Sequence, residues 1–243
     1  ILKIDDENFD LSFFTPVCEV ELCGHATIAA FYYLGLINVI RGSDEVVKVY
    51  QHTKAGKLGI ELKFNKGVEY VLMQQQSPQI FDEFIGQDLK DIAITLNTPE
   101  SNIGLNGAEI YPTVVSTGLK DIMVPVKSRQ ILNDLNVDLN GIIQISNEKD
   151  VVGYHVYTVE NGKVYARNFA PKVGINEECA TGTSNGALCG LLYERKVVSN
   201  ETEVIQGESM NEKSLIYVKV VDDNSIINVY AGGKASFVKS FNL

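Results

Sequence analysis

Two short stretches decide how this chain is read: Cys23-Gly24-His25-Ala26-Thr27 near its start and Cys179-Ala180-Thr181-Gly182-Thr183-Ser184 in its last third. Each sits in the same succession of patterns. Before the first, the alternation of Phe9, Leu11 and Phe13 reads as a half-buried strand that stops at Phe14-Thr15-Pro16, and after it runs the apolar stretch Ala26 to Ile40. Before the second, Lys163 to Asn168 reads as a strand stopping at Phe169-Ala170-Pro171. After it comes Ala187-Leu188-Cys189-Gly190-Leu191-Leu192, closed by the charged residues Glu194 to Lys196. The order strand, Phe-x-Pro turn, cysteine, apolar helix is therefore written twice, with the cysteines 156 residues apart. A helix too apolar for the surface must be wrapped by the strands around it, which predicts a half-barrel on a central helix, made twice.

Between the copies the chain reads mostly as short strands and turns, such as Leu58 to Leu62, Tyr70 to Met73, Pro112 to Val115 and Gly153 to Tyr157, with one small helix around Lys127 to Leu135. Ser77-Pro78 breaks a strand pattern, so the domain junction is expected within Gln76 to Phe84.

Composition limits the partners. The 243 residues, 45% hydrophobic and 21% charged, suit a folded globular chain rather than a disordered one. With 21 Lys and Arg against 31 Asp and Glu, the net charge of -10 repels phosphate backbones, and no basic stripe offsets it, so nucleic acid is not an expected partner. The longest apolar run is interrupted by Gly35 and Asn38, which gives no membrane span, and no basic and apolar leader opens the chain, so a cytoplasmic location with free thiols is expected. The abrupt start at Ile1 in a strand-like stretch suggests a gene product that continues upstream.

The chemistry of the repeat follows from its helix starts. A helix N-terminus carries unpaired N–H groups and the positive end of the macrodipole, so two of them facing one cleft would bind the carboxylate of a small acid. The amides around Gly24 and Ala26 in one copy, and around Gly182 and Ser184 in the other, are the candidate binding groups. Cys23 and Cys179 sit where the same field favours a thiolate, and His25 is a second candidate proton carrier. Groups on opposite sides of a substrate can remove and return a proton at a carbon acid, the work of an isomerase. Other readings stay open: either cysteine as a small core residue, His25 as a cap, and Glu177-Glu178 as a solvated turn or as a carboxylate pair at the second helix. A binding protein whose thiols respond to oxidation would use the same groups. Cys18 and Cys189 read as structural, and His52 and His155 lie on strand or turn patterns without partners and are set aside. Cys18, Cys23 and His25 lack the spacing of a zinc site, so no metal is expected.

At these residues the chain resembles the PhzF-like family of phenazine-biosynthesis isomerases, which has the diaminopimelate epimerase-like fold. The resemblance rests on Phe13 to Pro16, Glu19 to Thr27, Thr117-Gly118, Arg167 to Pro171, Ala180 to Thr183 and Gln206-Gly207, in family order along nearly the whole chain. It implies an α+β fold of two pseudo-symmetric domains, each a barrel-like mixed sheet around a central apolar helix: 1–80, and 81–243 with a final strand at about 234–243 returning to the first domain. It further implies an active site between the domains, no cofactor, a homodimer and a small carboxylate-bearing substrate. The family's site residues fall on His25, Glu178 and Thr183, with Glu178 standing where the family has Asp and Thr183 where it has Ser. Asn211-Glu212-Lys213 replaces a common Gly-Arg-Pro. The family's principal acid/base, a glutamate upstream of the first strand, has no counterpart, as if roughly the first fifth of a typical member were absent. Cys179 resembles instead the second cysteine of the cysteine-pair racemases and epimerases, and Cys23 the first, so a two-cysteine amino-acid racemase or epimerase is the alternative reading.

Overall fold

The computed structural model describes residues 1–14, 18–223 and 226–239, so Thr15 and Pro16 of the first Phe-x-Pro turn lie outside the described residues. The chain divides into two compact units. The first holds residues 1–74 and rejoins the chain at Tyr230, and the second holds Gln75–Val229. The division thus falls twice in the chain, after Gln74 and before Tyr230.

In the first unit β1 (Leu2–Lys3), β2 (Asn8–Asp10), β3 (Phe13–Phe14) and β4 (Glu19–Val20) precede helix α1 (Gly24–Leu36), which is followed by β5 (Val46–Thr53), β6 (Gly56–Phe64) and β7 (Val68–Gln74). Strands β5, β6 and β7 form an antiparallel meander, and β2 adds to β5 in parallel. Alternation sets the buried face: Val49 and Gln51 of β5, and Ile60, Leu62 and Phe64 of β6, point inward with Val71 and Met73. Phe9 meets Phe31 of α1 edge to face at 5.6 Å between ring centroids.

The second unit is built from β8 (Gln79–Glu83), α2 (Gln87–Thr95), β9 (Thr113–Ser116), β10 (Lys120–Pro125), α3 (Arg129–Asp134), α4 (Leu139–Glu148), β11 (Gly153–Glu160), β12 (Lys163–Ala170), β13 (Ile175–Glu178), α5 (Gly182–Glu194), β14 (Glu201–Gln206) and β15 (Ser214–Asp223). Its sheet is mixed: β10 runs parallel to β11, and β12 parallel to β14, while β11 with β12 and β14 with β15 are antiparallel. Strand β16 (Ile226–Gly233) carries the chain back into the first unit, where Tyr230 to Gly233 pair with Gln74 to Val71. The returning strand therefore lies before the expected 234–243, and the described residues 234–239 form none.

The mixed sheets and few helices agree with the expected α+β class, and no closing strand pair is detected among the described residues. Two further expectations need correction. The inter-repeat segment carries α2 and α4 besides the expected small helix. Only one of the two apolar helices is enclosed. In α5 every residue from Ser184 to Leu192 is buried, helped by Gly186 and Gly190: a Cβ there would lie 2.0 Å from Gln75 Oε1 and 2.4 Å from Pro78 Cγ. In α1 only Thr27, Phe31 and Gly35 are buried, and Tyr33 and Leu36 are exposed, with Tyr33 stacked on Phe237. The overall apolarity of α1 hid the fact that its burial is one-sided. No helix among the described residues is long and apolar enough to cross a membrane.

Candidate functional site

The two copies are best aligned by their helices. Both α1 and α5 have 13 residues and an extended N-cap residue, Cys23 and Thr181, whose side chain makes no capping hydrogen bond. Both end the same way: Asn38 and Lys196 each adopt φ +59, and the last-turn hydrogen bonds of Ile37, Asn38 and Val39 to Tyr33, Gly35 and Leu34 are repeated by Arg195, Lys196 and Val197 on Leu191, Tyr193 and Leu192. These equivalents stand 158 positions apart, whereas the cysteines stand 156 apart. Gly24 therefore answers Gly182, and Cys23 answers Thr181. The two cysteines are offset by two residues: Cys23 is the N-cap itself and Cys179 lies in the turn before it. The sequence could not show this, because the frame is set by where each helix begins and not by the position of the sulfur.

The starts of α3 and α4 are closed by side chains, whereas α2, with Gly86 at its N-cap, has no side-chain cap. Ser128 Oγ accepts from Ile131 N at α3, and Asp138 Oδ1 from Asn140 N at α4. At α1 and α5 the first helical residue is a glycine with room around it: a Cβ on Gly182 would meet nothing within 4 Å, and one on Gly24 only Met73 Cε at 3.8 Å. A missing cap costs about 1 kcal/mol. Both helices forgo it where the open N–H groups of Gly24 and Ala26, and of Gly182 and Ser184, can meet an anion. In the first unit Cys23 and Gly24 are half-buried, His25 and Ala26 are exposed, and the next turn is anchored where Thr27 Oγ1 donates to Gln51 Oε1 at 3.2 Å, both residues being fully buried.

The start of α5 is held more tightly. Gln75 Nε2 donates to Gly182 O at 2.8 Å, and Thr117 Oγ1 lies 3.1 Å from Thr183 O and 2.8 Å from Gln75 Oε1, which gives the Thr117-Gly118 motif its task. The acidic pair divides its work. Glu177 takes a two-pronged grip from Arg167, while Glu178 Oε2 accepts from Thr181 Oγ1 at 2.8 Å. Ser184, expected as a binding residue, turns its hydroxyl inward to Asp121 Oδ2 at 2.5 Å, leaving only its amide for a ligand. The hydroxyl of Thr183 makes no hydrogen bond among the described residues.

Electrostatics overturn one expectation. The Cys179 thiol is pushed up from its ordinary value, first by burial and then by its hydrogen bond to the Glu212 carboxylate, which holds the proton on sulfur. The field of α5 does not prevail, because the thiol stands ahead of the N-cap and beside a carboxylate that the family's usual Gly-Arg-Pro would not supply. Cys179 thus keeps its proton more firmly than an ordinary thiol. Cys189, inside α5, is raised by burial to about 12.

The sequence also passed over two residues that matter. His155 is fully buried between Asn185 Oδ1 at 3.0 Å and Asn168 Nδ2 at 3.1 Å, and burial lowers it to about 4, so the ring is neutral. Asp121 is raised to about 6 by burial, with the Ser184 hydroxyl and the Gly153 amide opposing the shift. Their partners come from distant strands, which no local pattern announces.

The α+β architecture with its two open helix starts places the chain among the isomerases with which it shares a family. The family model described as phenazine biosynthesis-like protein matches residues 1–240, and the chain belongs to that family. An uncharacterized isomerase of Clostridium acetobutylicum is 32% identical over 98% of this chain and 80% of its own length. Among solved structures, a phenazine biosynthesis protein of the PhzF family from Bacillus anthracis superposes with a TM-score of 0.77 at 23% identity, covering 96% of this chain and 79% of that one. A probable proline racemase from Agrobacterium radiobacter gives 0.59 at 13% identity, covering 100% and 74%, a likeness of fold.

Proposed function

We propose that this isomerase is cofactor-independent and moves a proton at the carbon α to the carboxylate of a small acid or amino acid. The observation that carries the reading is the pair of uncapped helix starts whose first helical residue is an open glycine, a combination shared neither by the capped α3 and α4 nor by α2, which begins at Gln87. In the proposed cycle the amides at Gly182 and Ser184 bind the carboxylate, and those at Gly24 and Ala26 are the corresponding candidate donors of the first unit. A base takes the α-proton, leaving an enolate-like carbanion whose charge those amides stabilise, and an acid returns a proton to a new position or face. A well-placed donor is worth ~3 kcal/mol to such a charge. Glu178, hydrogen-bonded by Thr181, suits the base. The Cys179 thiol, held protonated beside Glu212, suits the acid, and His25 of the other copy and Cys23 remain candidate carriers. A two-cysteine cycle in which both thiols alternate as thiolate is the weaker version, since the sulfurs occupy non-equivalent places. A homodimer in the cytoplasm belongs to the same proposal.

The test is hydrogen exchange in deuterated water, followed by proton NMR on L-alanine, L-proline and L-glutamate. Loss of the α-proton signal with the native protein, and its persistence with Glu178→Gln, is the expected result. No exchange in any of the three would overturn the reading.

A further inference from the structure

One buried side chain braces the turn that follows Glu178 at several points. Gln206, fully buried at the end of β14, spends every hydrogen-bonding position of its amide on it or on the helix behind it. Nε2 donates to Glu178 O at 2.6 Å and to Thr181 Oγ1 at 3.0 Å, while Oε1 accepts from Thr181 N at 3.2 Å and from Asn185 Nδ2 at 2.7 Å. The chain of bonds continues inward. Asn185 Oδ1 faces His155 Nε2, His155 Nδ1 faces Asn168 Nδ2, and the Asn168 amide also donates to Ser184 Oγ at 3.3 Å, whose hydroxyl ends on Asp121.

Only one assignment of protons satisfies all of these bonds. Asn168 turns its Nδ2, which can only donate, towards the ring, so His155 Nδ1 must accept and its proton must sit on Nε2. From there the side-chain donors run in one direction, His155 to Asn185, Asn185 to Gln206, Gln206 to the Thr181 hydroxyl, and that hydroxyl to the Glu178 carboxylate, while the Thr181 backbone N–H donates back to Gln206 Oε1. The repeat supports the design. Gln51 stands beside α1 as Gln206 stands beside α5, each accepting through Oε1 from the fourth residue of its helix, Thr27 or Asn185.

We infer that Gln206 and His155 are positioning residues that aim the Thr181 hydroxyl at Glu178, through a one-way relay of side-chain hydrogen bonds running from Asn168 to that carboxylate. The inference deepens the proposed function, since it gives Glu178 a fixed orientation as base and names what fixes it. A neutral imidazole is required throughout, and the burial of His155, which lowers its proton affinity, supplies one.

Two measurements test it. Nitrogen NMR of the imidazoles in the native protein at pH 7 reads the His155 tautomer directly, and the Nε2-protonated form is expected. An Nδ1-protonated or charged ring would overturn the relay whether or not the protein is active. The second measurement uses the exchange assay. Gln206→Glu keeps the size but removes both donors and adds a negative charge facing the turn. It is expected to lower kcat ~100-fold, with KM changed far less, and to move the acid limb of the pH profile upward; Gln206→Met is expected to lower kcat without moving that limb. An unmoved acid limb in a folded Gln206→Glu protein would overturn the inference. Failure of the native protein to exchange any α-proton would instead sink the proposed function, and the tautomer would still decide the relay.

Discussion

Arg167 holds Glu177 with two parallel hydrogen bonds of 2.8 and 2.9 Å, one residue ahead of the Glu178 turn. The remaining guanidinium nitrogen donates to the carbonyls of Leu132 and Leu135 at the end of α3, and the plane lies over Phe169 at 4.8 Å, so one nearly buried cation joins β12, β13 and a helix end. Arg167→Met leaves Glu177 without its counter-charge and two carbonyls without donors, and is expected to cost about 3 kcal/mol or more of stability. Arg167→Lys recovers little of it, because an ammonium cannot span four acceptors in a plane. Urea unfolding of the three proteins checks both statements. A lysine variant as stable as the native chain would contradict them.

The glycines at the two open helix starts separate fold from function. Gly182→Ala adds a methyl group where nothing lies within 4 Å, at a position that needs no unusual backbone angle. Helix propensity alone makes it neutral or stabilising by up to ~1 kcal/mol. The same methyl stands beside the N–H groups assigned to the carboxylate, so KM for the exchanged acid is expected to rise at least tenfold while thermal stability holds or increases. Gly207→Ala is the control of opposite sign. Its backbone has φ +81, and the new Cβ would lie 2.4 Å from Glu212 O and 2.9 Å from Cys179 Cβ, so a loss of about 2 kcal/mol is expected in the melting curve.

His155 and Asp121 oppose each other in acid. For His155 the folded value of about 4 lies below the ordinary 6.5, so the unfolded chain binds the extra proton and stability falls as pH drops from 6.5 towards 4. For Asp121 the folded value of about 6 lies above 3.8, so the folded chain binds the extra proton and stability rises as pH drops from 6 towards 4. Each amounts to roughly 3 kcal/mol over its window, and the two largely cancel between pH 4 and 6. Asp121→Asn retains an acceptor for Ser184 but removes the compensating titration. Its stability relative to the native chain is therefore expected to decline on going from pH 6 to pH 4, as measured by urea midpoints. Parallel pH curves for the two proteins would refute the assignment.

The duplication was legible because apolar runs, Phe-x-Pro turns and cysteines are local signals, and so were the strands and the two long helices. The equivalence of the copies was not, since pairing sulfur with sulfur gives the wrong frame and only the helix ends, Asn38 and Lys196, correct it. Helices α2 and α4 were missed as short amphipathic segments, each with only two or three buried residues in its span. Within the site, Cys179, Glu178 and Gly182 could be found by pattern. Gln206 was visible as a motif but without a task, and His155 was set aside, because the bonds that give them roles join β11, β12, β14 and α5 across the second unit.

The protonated state of Cys179 yields a test that needs no substrate. Burial and the Glu212 carboxylate both favour S–H, so alkylation of Cys179 by iodoacetamide is expected to lag at pH 7 and to keep accelerating above the pH at which an ordinary thiol has reached its plateau. Cys189, sealed inside α5, is expected to stay unmodified until the protein unfolds, and Cys18, which is exposed, is the accessible internal reference. Glu212→Gln removes the carboxylate but keeps the side chain's size, and it should accelerate Cys179 modification at pH 8 without changing the Cys18 rate. Peptide mass spectrometry resolves the sites. If Glu212→Gln leaves the Cys179 rate unchanged, the carboxylate is not what holds the proton, and the role of Cys179 as the acid in the proposed cycle loses its support.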